Sequence, residues 1–112
     1  MQPKIKKDNY RRVRGGSSKF LNISCSQCGA FIALYQKDGI GSLKRMYLDR
    51  ISSPEILVQL KDVSLEKIPV LTCANCKQVI GIPFLYEKEK RPSFRMIIGS
   101  FSKKIEKTKN AS

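Results

Sequence analysis

Two cysteine pairs of equal spacing, Cys25-Ser26-Gln27-Cys28 and Cys73-Ala74-Asn75-Cys76, hold every cysteine of a chain that has no histidine. A C-x-x-C turn folds so that both thiolates face one side, with backbone N–H groups pointing at the sulfurs. Two such turns supply the four soft ligands of a tetrahedral zinc ion, with Zn–S distances of about 2.3 Å. Gly29 follows the first pair, where a tight knuckle calls for positive φ. Lys77 stands at the matching place in the second pair. That knuckle therefore departs from the glycine-bearing form, and its lysine is expected close to an anionic thiolate cluster.

Other cysteine chemistries compete. A redox dithiol needs one pair only and usually opens a helix. Here each pair follows a β-like apolar run, Phe20–Ile23 before the first and Ile68–Leu71 before the second. Two disulfides would suit a secreted chain, but the N-terminal residues carry no signal-peptide pattern. Iron in a rubredoxin-like site is an alternative, since the same four thiolates bind either metal. A catalytic zinc is disfavoured, because four protein thiolates fill the shell and leave no position for water. The favoured reading is structural zinc held by Cys25, Cys28, Cys73 and Cys76, although the pairs stand further apart than the compact spacing of about 15–20 residues.

Composition gives the second signal. Lys and Arg number 22 against nine Asp and Glu, a formal net charge of +13 in 112 residues. So one-sided an excess implies a polyanionic partner, nucleic acid before others. A solubility device would intersperse the signs, and a membrane-surface role would need a basic amphipathic helix that the sequence does not contain. No apolar run approaches the about 18–20 residues that span a bilayer. The expectation is a cytoplasmic protein with no membrane partner. The core must be modest, as tryptophan is absent. A metal staple, with about 10–16 kcal/mol of apparent binding free energy, is then comparable with the whole stability of a small domain.

The elements that must position the cysteines are strands. Residues 1–18 form a basic arm, expected to be flexible, that ends in Gly15-Gly16-Ser17-Ser18. The zinc-binding β domain is expected over 19–101. Its first strand is 19–25 and its second 30–37. The turn signal Asp38-Gly39 then predicts a hairpin with a returning strand over 42–51. Pro54 and Glu55 mark a loop or helix start, and 56–60 reads as either a helical turn or a short strand. A strand over 68–72 delivers the second knuckle. The next strand, 78–86, carries Pro83, which places it at an edge or a bend. Residues 94–101 form the last strand, and 102–112 a basic tail. The fold class is thus mainly β, a small antiparallel sheet stapled by a four-cysteine metal site.

This duplicated strand, C-x-x-C, strand pattern resembles the zinc-ribbon superfamily. The long insertion between the knuckles is similar to the β-tent arrangement of Yippee-like and cereblon thalidomide-binding domains. The resemblance spans about residues 19–101 and implies that Cys25, Cys28, Cys73 and Cys76 are metal ligands. Those ligand-binding relatives use tryptophan-lined pockets, so no small-molecule substrate is expected here. Zinc ribbons with basic tails are common among ribosomal and transcription proteins, and this chain resembles them in charge.

Nucleic-acid contacts are expected in two places. The arm offers Lys4, Lys6, Lys7, Arg11, Arg12 and Arg14 to phosphates, with Tyr10 placed to stack on a base. The hairpin offers Lys37, Lys44, Arg45 and Tyr47, beside Arg50 and Tyr35. The competing reading makes those tyrosines core and those charges the outer face of a hairpin, because alternation does not identify the solvent side. The function expected is non-enzymatic: a zinc-stabilised module that binds RNA, with the ribosome as its setting. The alternative is a protein-interaction adaptor whose sheet edge pairs with another chain. A thiol oxidoreductase or electron carrier stands behind both. No histidine is available for general-base work near neutral pH, and no phosphate loop or nucleophile elbow occurs.

Overall fold

The computed structural model describes residues 18–39 and 41–106. Alternating apolar residues build β1 (Ser18–Cys25), whose Leu21, Ile23 and Cys25 are all buried. β2 (Phe31–Asp38) pairs antiparallel with it, setting Leu21 opposite Tyr35 and Ile23 opposite Ala33. Short segments follow: β3 (Arg45–Tyr47), a 3-10 turn at Leu48–Arg50, β4 (Ile51–Ser53) and the helical turn α1 (Glu55–Val58). Two more 3-10 turns, Gln59–Asp62 and Leu65–Lys67, lead to β5 (Leu71–Thr72). The last described elements are β6 (Val79–Tyr86), β7 (Arg91–Met96) and β8 (Phe101–Ile105).

The fold is mainly β, as the sequence predicts, but it has two antiparallel sheets. Their orders are β4-β2-β1-β8 and β3-β7-β6-β5. The core lies between them. Leu21, Ile23, Ala33 and Tyr35 come from the first sheet, and Met46, Ile80, Phe94 and Met96 from the second. Close approach explains Gly81 on β6, where an added Cβ would lie 3.1 Å from that of Phe94. A polar link also joins the sheets, as the backbone N–H of Tyr47 on β3 donates to the Tyr35 hydroxyl on β2 at 2.9 Å.

Three expectations are corrected. The 30–37 and 42–51 runs do not form a hairpin. β1 takes one edge of β2 and β4 takes the other at Leu34 and Tyr35, so β3 crosses to the second sheet and pairs with β7. The strand predicted over 94–101 is two strands, since Gly99 at φ 89° turns the chain between β7 and β8. The tail assigned to 102–112 begins as β8, paired with β1 from Leu21↔Ile105 to Cys25↔Phe101. At the other end, Ser18 is already strand. Elsewhere, 56–60 is helical, and Pro83 lies beyond the reach of the two-residue β5. Its missing N–H therefore costs no ladder bond.

Candidate metal centre and basic cleft

Each cysteine pair is the turn of a hairpin, and the two hairpins belong to different sheets. The first joins β1 to β2, the second β5 to β6. The local hydrogen bonds are duplicated. Gly29 N–H donates to Cys25 O at 2.9 Å and Lys77 N–H to Cys73 O at 2.8 Å. Cys25 N–H donates to Ala30 O at 2.8 Å, and Cys73 N–H to Gln78 O at 2.9 Å. Both residues after the second cysteine are left-handed, Gly29 at φ 79° and Lys77 at φ 69°. The lysine thus accepts a backbone state that favours glycine. Its ammonium turns to Ala74 O at 3.2 Å.

The four sulfurs converge, all within 4.8 Å of one another. Cys25 Sγ lies 3.5 Å from Cys76 Sγ, and Cys28 Sγ 3.5 Å from Cys73 Sγ. All four are free thiols. These cross-pair approaches, with all four sulfurs so close together, fit one shared site better than two separate dithiols. A tetrahedron with Zn–S bonds of about 2.3 Å has an edge of about 3.8 Å. The 3.5 Å approaches and the 4.8 Å limit on every separation are compatible with that edge, so the residues present fit a four-coordinate thiolate metal. Cys25 and Cys73 are buried, whereas Cys28 is exposed and Cys76 half-buried.

Neighbouring groups prepare the sulfurs unequally. The Asn75 side-chain amide and the Ala30 N–H hold the Cys28 thiol down to about 6. The Cys28 N–H, outweighing burial, also lowers Cys25. The Gln78 N–H pulls Cys76 down, but desolvation and the other three sulfurs overcome it and push this thiol up to about 12. The set gives up its first proton readily and its last with difficulty. A cation at the centre would supply the missing charge compensation.

Sequence reading missed Gln78, which fastens the two knuckles together. Its amide nitrogen is 3.7 Å from Cys25 Sγ, 3.2 Å from Ser26 Oγ and 2.8 Å from Ser100 O. Ser26 in turn donates through its N–H to Ser100 O at 3.0 Å and through its hydroxyl to Gly99 O at 2.7 Å. The turn between β7 and β8 therefore braces the site from outside. No local pattern announces Gln78, because its partners lie on other elements. Comparison with known family models, characterised proteins and solved structures gives no match.

Of the expected nucleic-acid contacts, Lys4, Lys6, Lys7, Tyr10, Arg11, Arg12 and Arg14 lie outside the described residues. The other four converge: Lys37, Lys44, Arg45 and Tyr47 line one open cleft of about 470 Å³, together with Tyr35 and Asp38. They are not equally accessible. Lys44 is exposed and Arg45 half-buried, but Lys37 and Tyr47 are 8% and 6% exposed. The Tyr47 ring is covered by the Arg91 guanidinium, 3.8 Å from its centroid, and packs edge-on against Tyr86. An open stacking face on Tyr47 is therefore corrected to a core position. Arg50 and Tyr35 are core as well. Arg50 Nε is 3.0 Å from Asp38 Oδ2 with both side chains buried, and burial, partly offset by the Tyr47 N–H, pushes the Tyr35 hydroxyl upward.

Proposed function

We propose that this chain is a non-enzymatic RNA-binding module whose two sheets are stapled by one zinc ion. Zinc is favoured over iron because the role required is structural, and an ion without redox chemistry performs it without side reactions. The ligands would be Cys25, Cys28, Cys73 and Cys76. Four thiolates complete a tetrahedral shell, so the ion contributes rigidity and no open coordination position. Free cysteines fit a reducing, cytoplasmic setting. Among the described residues no helix is long and apolar enough to cross a membrane.

The observation that carries the RNA reading is the convergence of Lys37, Lys44 and Arg45 on one cleft in a chain of net charge +13. The exposed Lys44 acts there as a point charge and Arg45 as a planar fork toward phosphate. The ribosome is the setting that best matches a small, strongly basic, metal-stapled domain. A protein adaptor is the second reading, favoured by Val70, Val79 and Ile82, exposed near the β5–β6 margin.

Two measurements test the proposal. Metal analysis of protein prepared without added metal should give one zinc per chain, and a chelator should lower the melting temperature. Less than half an equivalent, or a melt indifferent to chelator, defeats the staple. Material co-purifying at low salt should be RNA or ribosomes and should disappear with ribonuclease. A nuclease-resistant protein complex would give the case to the adaptor.

A further inference from the structure

The face of the second sheet that turns away from the core carries arginines and aromatic rings in alternation. Strand register sets Arg45 and Ile82 on either side of Arg95, and Tyr47 and Phe84 on either side of Ser93, with Tyr86 opposite Arg91. The intervening rung, Met46 and Phe94, faces the core. Period-two alternation therefore directs these rungs to the other side of the sheet, where Tyr47, Arg91 and Ser93 are themselves buried and exposure is left to Arg95 and Ile82, with Arg45, Phe84 and Tyr86 half-buried. The cations lie on the rings. Arg45 is 3.9 Å from the Tyr86 centroid and Arg95 is 4.6 Å from that of Phe84.

The arginines of this face divide into two kinds. Arg91 is held by carboxylates, at 2.8 Å from Asp49 and 3.0 Å from Glu89. It is a structural clamp over Tyr47. Arg45 and Arg95 have no carboxylate within salt-bridge distance among the described residues. Arg95 is exposed, Phe84 and Tyr86 are half-buried, and Ile82 is 41% exposed beside them. Half-buried Arg45 also donates through Nε to the Tyr47 hydroxyl at 2.8 Å, whereas the exposed Arg95 keeps a free face toward solvent above its ring. That free face, with its positive charge left over, suits a flat, electron-rich partner joined to an anion. A nucleobase on a phosphate backbone has both properties. Arg45 also lines the basic cleft with Lys37 and Lys44, so a phosphate track there runs directly onto the stacking face.

Resting on the RNA-binding reading above, we propose that the outer face of β3, β7 and β6 is a stacking platform for unpaired bases of single-stranded RNA. Its two stations are Arg95 on Phe84 and Arg45 on Tyr86. A duplex hides its base faces, so the platform takes single strands and rejects paired ones. Charge complementarity selects this occupant over an apolar protein surface, which would leave both guanidiniums buried and unpaired.

The test uses the full chain with its metal, and a fluorescent RNA dodecamer offered alone or annealed to its complement. Binding is read by anisotropy, and folding by thermal melt. Arg95→Lys keeps the charge and removes the plane. Phe84→Leu keeps apolar bulk and removes the ring. Each should weaken binding of the single strand by about tenfold, with the dependence on salt unchanged because no phosphate charge is lost. The single strand should bind tighter than the duplex. Wild-type affinity in the double variant, or a preference for the duplex, overturns the platform while leaving RNA binding intact. No binding of either probe by the wild type instead defeats the RNA reading itself. If Phe84→Leu lowers the melt, Arg95→Lys decides, because an exposed arginine can be exchanged without unfolding the domain.

Discussion

Lys77 occupies the same left-handed backbone region as Gly29, its counterpart in the other knuckle, with φ of 69° against 79°. The two substitutions that exchange this relationship should have opposite signs. Gly29→Ala places a Cβ in a conformation that costs about 1–2 kcal/mol for an L-residue and should lower the melt accordingly. No atom lies within 4 Å of the new Cβ, so the loss is backbone strain and not a clash. Lys77→Gly relieves that strain at a smaller entropic cost of about 0.5–1 kcal/mol. It should be neutral to mildly stabilising in a thermal melt, with metal content unchanged. A large loss for Lys77→Gly would mean that the ammonium, and not the backbone, matters there.

Acid should release the metal. Metal binding takes four thiolates, so protons compete with it, and affinity must fall as pH falls. Cys76, pushed up to about 12, is the sulfur that protons hold hardest, whereas Cys28, held down to about 6, is the last to be reprotonated. In the metal-free chain their contributions oppose each other. That of Cys28 is present above the ordinary thiol value of about 8.5 and is lost as pH falls through its folded value. That of Cys76 is present below about 8.5 and is lost as pH rises toward its own folded value. A chromogenic chelator should therefore capture zinc progressively between about pH 7 and about pH 5, and the melting temperature should fall in parallel. A pH-independent melt with metal retained would contradict this.

Asp38 is the acceptor for a buried cation. It takes Arg50 Nε at 3.0 Å, Gln36 Nε2 at 2.8 Å and Ser18 Oγ at 2.7 Å. Asp38→Ala removes the nearest carboxylate from buried Arg50, leaving Asp49 Oδ2 at 3.9 Å from its Nη1, and should cost about 3 kcal/mol, the lower end for a broken buried pair. The double change Asp38→Ala with Arg50→Met should cost less than the single one, since it removes the buried charge that Asp38 compensated. Denaturant melts of the three chains measure the difference. A double variant worse than the single would assign the loss to packing.

The basic arm should add affinity but little discrimination. Cutting must stop before Ser18, which is bound to Asp38 on β2, so the informative chain begins at Ser18. Removing residues 1–17 should weaken RNA binding and flatten the plot of log K against log salt by about 0.7 per lost phosphate contact, with the melt preserved. An unchanged slope would make the arm a solvated appendage.

The four-cysteine cluster was legible because identity and spacing alone announce a thiolate site. Three of the strands beside it were legible to within a residue, because apolar alternation ends at the knuckles, but the strand expected over 68–72 is only Leu71–Thr72. Other features depend on distant partners. The sequence reads β2 and β3 as a hairpin, but no local signal says that β4 has already taken the free edge of β2. The apolar run Met96-Ile97-Ile98 with Phe101 hides the turn at Gly99. Left-handed backbone at Lys77 is invisible, since lysine is no marker for it. Burial of Tyr47 comes from Arg91 and Tyr86, which are distant in sequence. The arginine and aromatic face is the reverse case. Arg45, Phe84 and Arg95 look unrelated along the chain, and only the register of three strands assembles them.

The pairing of β8 with β1 closes the domain on itself, with Glu106 N–H donating to Phe20 O at 2.8 Å. The ends of the described fold are therefore neighbours, and the order of its strands along the chain is open to rearrangement. Joining the residues after Glu106 to Ser18 by a short loop, and opening the exposed turn near Lys88 instead, would give a circular permutant with every strand partner and both knuckles retained. In the natural order, by contrast, the first sheet stays one strand short until residue 105 has been synthesised. Completion of this sheet is a late, long-range event in the folding of the chain.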